Sequence, residues 1–339
     1  MKSLIQKLVE TPGPSGYEQQ IRAVVRQEIE PLADEVRVDA LGNLIARFGR
    51  KADGGQRILL SAHIDEIGVI ATHIDENGFV RFLPVGGLLP RTCPGSRVRF
   101  LNGAQGVIGV ERLSSMERVP AWDQMFIDLG VTSKAACPVR TGDMAVFERP
   151  FVDLGQRIVA KALDDRVGVA ALIEALRRMK NEALACAHEV YFVFSIQEEV
   201  GSRGAAVAAF GIEPDLGIAV DVTGSGDTPR GIKMDTALGK GPAIKVRDQG
   251  MIADPRLVDL LVRTAEQAGI PYQMEVLERG STDAQLIQLS RAGVPAGCIS
   301  LPCRYIHSPS EMADMADVEQ TVGLIVALLS GPAELERSR

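Results

Sequence analysis

The stretch RILLSAHID, residues 57–65, joins a short apolar run to a histidine and an aspartate. Arg57 to Ala62 has the length and composition of a buried β-strand, and His63 and Asp65 follow at its carboxyl end. In open α/β sheets, ligands bind in the crevice outside the carboxyl ends of the strands. The stretch therefore predicts an α/β fold with a functional site where this strand ends.

Two later segments repeat the arrangement of an apolar strand followed by acidic residues. Residues 190–195 read VYFVFS and lead to Glu198-Glu199, and residues 216–220 lead to Asp221. A helical pattern at residues 167–179 precedes them, and strands that alternate with helices indicate parallel pairing. We therefore predict an α/β fold with a mixed sheet sandwiched by helices, and we expect the polar groups to converge at one sheet edge.

The chain has only four histidines, and two of them, His63 and His307, are candidate site residues together with several carboxylates. Neutral imidazoles and carboxylates are the ligands that zinc, cobalt and manganese accept. Two metal ions close together also need a carboxylate to bridge them, and such pairs catalyse hydrolysis. The pattern predicts a metal-dependent hydrolase. The candidate residues are His63, Asp65, Asp164, Asp165, Glu198, Glu199, Asp221 and His307.

Each group taken alone also has an ordinary structural explanation. The pair Glu198-Glu199 could lie on a solvated surface, and Asp65 could belong to a turn at the strand exit. Asp164 or Asp165 could form an ion pair with Arg166 or cap a helix. The Glu-Glu pair directly follows an apolar strand, however, and this position is unlike that of an exposed helix.

The segment between His63 and Asp164 differs in character from the rest of the chain. From residue 68 to about 153, short β-type runs alternate with glycine and proline. Several short strands with frequent turn signals favour a small β-barrel or sandwich. We therefore predict a β-rich domain at residues 68–154, inserted into a catalytic domain made of residues 1–67 and 155–339.

Two helix starts are predicted from local capping patterns. Asp254-Pro255 places a capping residue before a proline at the first helical position, and it predicts a helix to about Ala268. Ser15 stands three residues before Glu18, which is the spacing of a capping box. This second pattern predicts a helix that begins at Ser15.

Composition excludes two classes of partner. The chain of 339 residues has 46% hydrophobic and 24% charged residues, as in ordinary globular proteins, and a net charge of −7. A nucleic-acid binder would need a basic patch, and a membrane span would need about 18 consecutive apolar residues. Five cysteines without a CxxC pair favour reduced thiols. We expect a cytoplasmic protein that binds neither nucleic acid nor membrane.

Seven motifs, taken together and in order, resemble the tetrahedral (TET) aminopeptidases, which include glutamyl, leucyl and lysyl aminopeptidases and proteins labelled endoglucanase. The resemblance spans nearly the whole chain. The motifs are PGPSGYE at 12–18, AHIDEIG at 62–68, KALDDR at 161–166, QEEVGSRG at 197–204, DVT at 221–223, TDA at 282–284 and RYIHSP at 304–309. The resemblance implies a phosphorylase/peptidase-like catalytic domain with an inserted small β-barrel.

The resemblance also implies a set of metal ligands for two divalent ions, zinc or cobalt, with manganese as a further option. Asp164 would bridge the two ions. His63 and Asp221 would complete one site, and Glu199 and His307 would complete the other. These five residues match the ligand positions of the family motifs.

Two further roles follow from the resemblance. Glu198 would be the general base that activates a metal-bridging hydroxide for attack on the first peptide carbonyl, and Asp65 would support His63. Asp165 follows the bridging residue, and the resemblance assigns it no separate role. The family motif Gly-Gly-Thr-Asp-Ala appears here as residues 280–284 with Ser281 at its second position, so the specificity of a relative does not carry over directly.

The implied function is hydrolysis of N-terminal residues from short peptides by a homo-oligomer. In the family the inserted domain forms dimers, and the dimers assemble into a hollow dodecamer. A deacylase or another amidohydrolase on the same dinuclear scaffold is the alternative, and a non-catalytic assembly protein is a further one. In carboxypeptidase G-like relatives the extra domain follows the Glu-Glu pair, whereas here the β-rich segment precedes Asp164.

Overall fold

A computed structural model describes residues 1–112 and 119–335 of the chain. The helices are Lys2–Glu10 (α1), Gln19–Ile29 (α2), Leu163–Asn181 (α3), Arg203–Ile212 (α4), Pro255–Ala268 (α5), Asp283–Gln288 (α6) and Met315–Ser330 (α7). None of these helices is long and apolar enough to cross a membrane.

The strands form one large sheet and one barrel. The first strands are Glu35–Val38 (β1), Leu44–Phe48 (β2), Arg57–His63 (β3), Gly68–Ile74 (β4), Val80–Val85 (β5), Arg97–Phe100 (β6), Gln105–Val110 (β7), Met125–Asp128 (β8) and Met144–Phe147 (β9). The later strands are Val152–Asp153 (β10), Arg157–Ala160 (β11), Glu189–Ser195 (β12), Leu216–Thr223 (β13), Ala243–Arg247 (β14), Gln273–Val276 (β15), Ala296–Arg304 (β16) and Glu311–Asp314 (β17).

The centre of the large sheet is parallel. Strands β12, β3, β13 and β16 lie side by side in that order and run in the same direction. Antiparallel strands β2 and β1 extend one edge, and β17, β11 and β10 extend the other. Because the four central strands are parallel, their carboxyl ends meet at one edge of the sheet.

Helices cover both faces of this sheet. On one face Ile58 and Leu60 of β3 pack in a core with α3, α7 and α5, and on the other Leu59 packs in a core with α4 and α6. Successive residues of a strand point to opposite faces, so a run such as Ile58-Leu59-Leu60 is apolar throughout when both faces are covered. The predicted mixed sheet between helices is confirmed.

The predicted small barrel is also confirmed. Strands β4, β5, β8, β7, β6 and β9 close on themselves around a separate apolar core that includes Val69, Phe82 and Phe100. The barrel strands span residues 68–147, and the chain rejoins the large sheet at β10. Closure removes the exposed strand edges that a small open sheet would leave. That this barrel mediates dimer formation stays a prediction.

One predicted helix start is confirmed and the other is wrong. Asp254 caps α5, since its carboxylate accepts a hydrogen bond from the amide of Arg256. Ser15 does not cap α2, which begins at Gln19, because its hydroxyl donates instead to the carboxylate of Asp65 at 2.6 Å. The second half of the capping box is also missing, because the Glu18 carboxylate accepts from the amide of Gly16 and not from that of Ser15.

Arg166, near the start of α3, ties the first helix to the core. Its side chain is fully buried, and its guanidinium donates to the carbonyl groups of Leu8 and Thr11 at the end of α1. Glu66 lies 3.7 Å from the same guanidinium. The arginine therefore satisfies carbonyl groups that the end of a helix leaves without partners.

We expect Arg166→Ala to lower the free energy of unfolding by about 3 kcal/mol, since removal of one partner from a buried charged group typically costs this much. Arg178→Ala on the same helix removes a partly exposed pair with Glu319 and should cost less than about 1 kcal/mol. Chemical denaturation of both variants measures the difference. Equal effects of the two substitutions would contradict the anchoring role of Arg166.

Candidate metal centre

The predicted site residues converge where the parallel strands end. His63 is the last residue of β3, and Asp221 lies near the end of β13. Glu198 and Glu199 follow β12, and His307 follows β16. Asp164, in the first turn of α3, completes the group from outside the sheet. The structure therefore brings together residues that are up to 244 positions apart.

Asp164 lies between the two histidines. One of its carboxylate oxygens, Oδ1, is 3.0 Å from Nε2 of His63, and the other, Oδ2, is 3.3 Å from Nε2 of His307. On the His63 side, Asp221 Oδ1 is 3.9 Å from the same Nε2 atom. On the other side, Glu199 Oε2 is 3.2 Å from Nε2 of His307. Two groups of ligand atoms thus share one carboxylate.

Backbone carbonyl groups fix the orientation of both imidazole rings. Nδ1 of His63 is 3.1 Å from the carbonyl oxygen of Asp65, and Nδ1 of His307 is 3.1 Å from that of Gly87. A carbonyl oxygen can only accept, so Nδ1 carries the proton in each ring. In the neutral form Nε2 then presents its lone pair to the carboxylates, which is the usual arrangement of a histidine that ligates a metal ion.

The carboxylate of Asp65 organises the turn that carries the two glutamates. It is fully buried and accepts hydrogen bonds from the amides of Glu198 at 2.9 Å and Glu199 at 3.2 Å, as well as from the hydroxyl of Ser15. The same carboxylate is 3.4 Å from Nδ1 of His63, farther than the Asp65 carbonyl oxygen. Asp65 therefore contacts the ring through its backbone and the glutamate turn through its side chain.

Asp165 is buried beside the His63 group. Its Oδ2 atom accepts a hydrogen bond from the amide of His63 at 3.2 Å, and its Oδ1 atom accepts one from Gly168. Ligand atoms of His63, Asp165 and Asp221 all lie within 4.8 Å of one another, as do those of His63, Asp164 and Glu199. Asp165 is thus either a support for β3 or an additional ligand.

The electrostatics of this cluster fit bound cations. Burial and the neighbouring Asp164 raise the pKa of Asp221 to about 7, although His63 opposes the shift. Burial and the carboxylates of Asp221 and Glu199 raise the pKa of Glu198 well above its ordinary value. Carboxylates resist ionising together because like charges repel strongly away from water. Divalent ions would remove that penalty.

Glu199 supplies a second observation that fits a metal ion. Its Oε1 atom is buried and has no hydrogen-bond partner among the residues that the structure describes. A buried carboxylate oxygen without a partner carries a large desolvation cost. The other oxygen of the same carboxylate faces His307, so a cation at this position would contact both side chains.

Glu311 belongs to the site, although the sequence analysis missed it. Its side chain is buried; Oε1 accepts from the amide of His307 and Oε2 from the amide of Asp164, each at 2.9 Å. The carboxylate thereby joins the backbones of the two residues. A single glutamate at the start of β17 shows no local pattern, and its distance of four residues from His307 is the only sequence signal.

A cavity of about 440 Å³ opens above the cluster. Asp164, Glu198 and His307 line its base, and the hydroxyl of Ser202 donates to Oε1 of Glu198 at 2.7 Å. Gly280 and Ser281 also line the cavity, and Ser281 is the position at which the motif departs from the family pattern. The volume is typical of sites for small ligands. Glu198 therefore faces a space that a substrate can enter.

Comparisons with known proteins identify the family to which the chain is similar. The family model described as M42 glutamyl aminopeptidase matches residues 42–324. A putative aminopeptidase of Acetivibrio thermocellus is 44% identical, over 96% of this chain and 97% of the relative. The lysyl aminopeptidase of Pyrococcus furiosus is 38% identical, over 96% of each chain.

A solved structure extends the similarity to three dimensions. The TET1 peptidase of Pyrococcus horikoshii superimposes with a TM-score of 0.86 and 36% identity, over 97% of this chain and 98% of the other. That peptidase is described as able to assemble into a tetrahedron or a large octahedral shell. The similarity covers both the sheet and the barrel, since nearly all of each chain is matched.

We expect Glu311→Gln to weaken divalent cation binding by about tenfold or more, as changes in residues that support ligands usually do. An amide has only one acceptor oxygen, so it cannot accept from both the His307 and Asp164 backbones. Calorimetric titration of the metal-free protein with cobalt(II) measures the effect. Glu182→Gln, an exposed change, is the control. Equal affinity in both variants would show that Glu311 does not support the ligands.

Proposed function

The chain belongs to the M42 glutamyl aminopeptidase family, and we propose that it removes the first residue from short peptides at a site for two divalent metal ions. The observation that carries this proposal is the position of Asp164, whose two oxygens face two different histidines. A single carboxylate shared in this way is the ligand that a pair of ions requires.

The ligands divide into two sets around Asp164. His63 and Asp221 would hold one ion, and Glu199 and His307 would hold the other. Support comes from the Nδ1 hydrogen bonds of both rings, which leave each Nε2 available to a cation. Further support comes from Oε1 of Glu199, which has no hydrogen-bond partner within residues 1–112 and 119–335. Imidazole and carboxylate ligands suit zinc and cobalt, and manganese accepts the same set.

Bound ions would supply Lewis acidity, which lowers the pKa of a water molecule and polarises the peptide carbonyl. Glu198 would accept the proton from the attacking water and deliver it to the leaving amine. Its position supports this role, because it lines the cavity beside the ligands and the Ser202 hydroxyl orients one of its oxygens. The amides of Glu198 and Glu199 both donate to the Asp65 carboxylate, and these hydrogen bonds hold the turn. Glu198 would then act as the base while Glu199 binds an ion.

The surroundings of the site favour a short peptide with a free amino terminus. With the ions in place, the lone pair of a neutral terminal amine would face them, and the peptide would extend toward the open side of the cavity. Gly201, Thr223 and Leu277 line the walls. An acylated amino group lacks this available lone pair, because its nitrogen is conjugated with the acyl carbonyl.

We also propose that the protein acts as a homo-oligomer. The relative from Pyrococcus horikoshii assembles into closed shells, and its structure matches this chain over nearly its whole length. The closed barrel is an independent unit with its own core, so one surface of it can pack against a second copy without unfolding either. Dimers formed through the barrel would be the building blocks of a dodecamer.

The proposed activity is tested with protein stripped of metal by a chelator. Aminoacyl para-nitroanilides of Leu, Glu, Lys and Ala should be hydrolysed only after zinc, cobalt or manganese is restored. N-acyl amino acids are the comparison substrates. Hydrolysis of the acylated compounds and not of the free aminoacyl amides would favour a deacylase instead.

We expect Glu198→Gln to lower kcat by at least about 100-fold, which is typical for loss of a general base. The amide has the same shape but cannot accept the proton, so metal content measured by elemental analysis should stay unchanged. Glu182→Gln again serves as the surface control. A Glu198→Gln enzyme with normal turnover would exclude this residue as the base.

His307→Ala should release about one ion per chain, because only Glu199 and the shared Asp164 would remain to hold that ion. Elemental analysis after dialysis against metal-free buffer gives the stoichiometry. Circular dichroism checks that the fold is retained. If the variant kept the full metal content of the natural protein, His307 would not be a ligand.

A further inference from the structure

A loop of the barrel reaches the metal centre. Gly86 and Gly87 directly follow barrel strand β5, and the next residue, Leu88, is buried in the barrel core. Gly87 also lines the cavity above Asp164. The loop is therefore anchored in the barrel at one side and contacts the catalytic domain at the other.

Gly87 contacts His307 in two ways. Its carbonyl oxygen accepts the hydrogen bond from Nδ1 at 3.1 Å. A Cβ atom added to Gly87 would lie 2.4 Å from Nδ1 and 2.5 Å from Cε1 of the same ring. Real Cβ atoms do not approach other heavy atoms so closely, so a side chain at Gly87 would displace the ring.

Gly86 lies against Glu199, the proposed ligand that shares an ion with His307. A Cβ atom at Gly86 would lie 2.9 Å from Oε2 of Glu199, and its backbone has a φ of +82°, which favours glycine. The loop thus packs against both ligands of one set. The other histidine, His63, is oriented by Asp65, which belongs to the catalytic domain.

We propose that Gly87 is a positioning residue through which the barrel sets the ion site formed by Glu199 and His307. Its carbonyl selects the ring tautomer that presents Nε2, and its missing side chain leaves space for the ring. This inference rests on the proposed two-metal function. It assigns to the barrel a role at the catalytic centre in addition to any role in assembly.

The test compares Gly87→Ala, His307→Ala and the double variant by calorimetric titration of metal-free protein with cobalt(II). We expect Gly87→Ala to weaken binding of one ion by roughly tenfold or more and to leave the other ion unaffected. In the His307→Ala background the same glycine substitution should change nothing, because the ring it acts on is absent. Gly211→Ala is the control, since a Cβ there meets no atom within 4 Å.

The double variant also separates a local collision from a general folding defect. If Gly87→Ala alone failed to fold but the double variant folded, the collision with the ring would be the cause and the proposal would stand. Failure of both to fold would show that Gly87 serves the barrel and would overturn it. Two unchanged ion affinities in a folded Gly87→Ala would also overturn it, and so would equal weakening in both backgrounds.

Failure of this inference is distinguishable from failure of the proposed function. If His307→Ala alone left both ion affinities unchanged, His307 would not be a ligand and the proposed metal site would be wrong. If His307→Ala weakened one ion and Gly87→Ala did not, only the role of the barrel loop would be excluded.

Discussion

The proposed site depends on the carboxylates that lie together around Asp164 and the two histidines. Asp164, Glu198, Glu199 and Asp221 lie close together, and burial together with mutual repulsion raises the pKa of Asp221 to about 7. Burial of several carboxylates in one place is unfavourable for stability, since taking each charge out of water costs several kcal/mol. Bound metal ions would convert this unfavourable arrangement into a binding site, and the histidines would supply ligands without adding negative charge.

The surrounding fold holds these groups in place with backbone contacts. The Asp65 carboxylate binds two amides of the glutamate turn, and the Glu311 carboxylate binds the amides of His307 and Asp164. The parallel strands end at a common edge, so small shifts of any one strand would move a ligand. Each carboxylate thus connects separate segments of the chain, and these contacts would hold the proposed ligands in place before an ion binds.

The sequence predicts the features that depend on local pattern. The run RILLSAHID predicts strand β3 and places His63 at its end. This is possible because the length and apolarity of a strand, and the polar residues that follow it, can be read from adjacent positions. The glycine- and proline-punctuated segment likewise predicts the small barrel. By contrast, Gly87 and His307 are 220 residues apart, and nothing near either one indicates their contact. The hydrogen-bond partner of Ser15, Asp65, is likewise invisible to local pattern, because it lies 50 residues away along the chain.

Anomalous diffraction from crystals of the cobalt-loaded protein tests the central claim most directly. The account predicts two cobalt peaks per chain on either side of the Asp164 carboxylate, one beside His63 and Asp221 and the other beside Glu199 and His307. A single peak, or two peaks that do not share Asp164, would contradict the account.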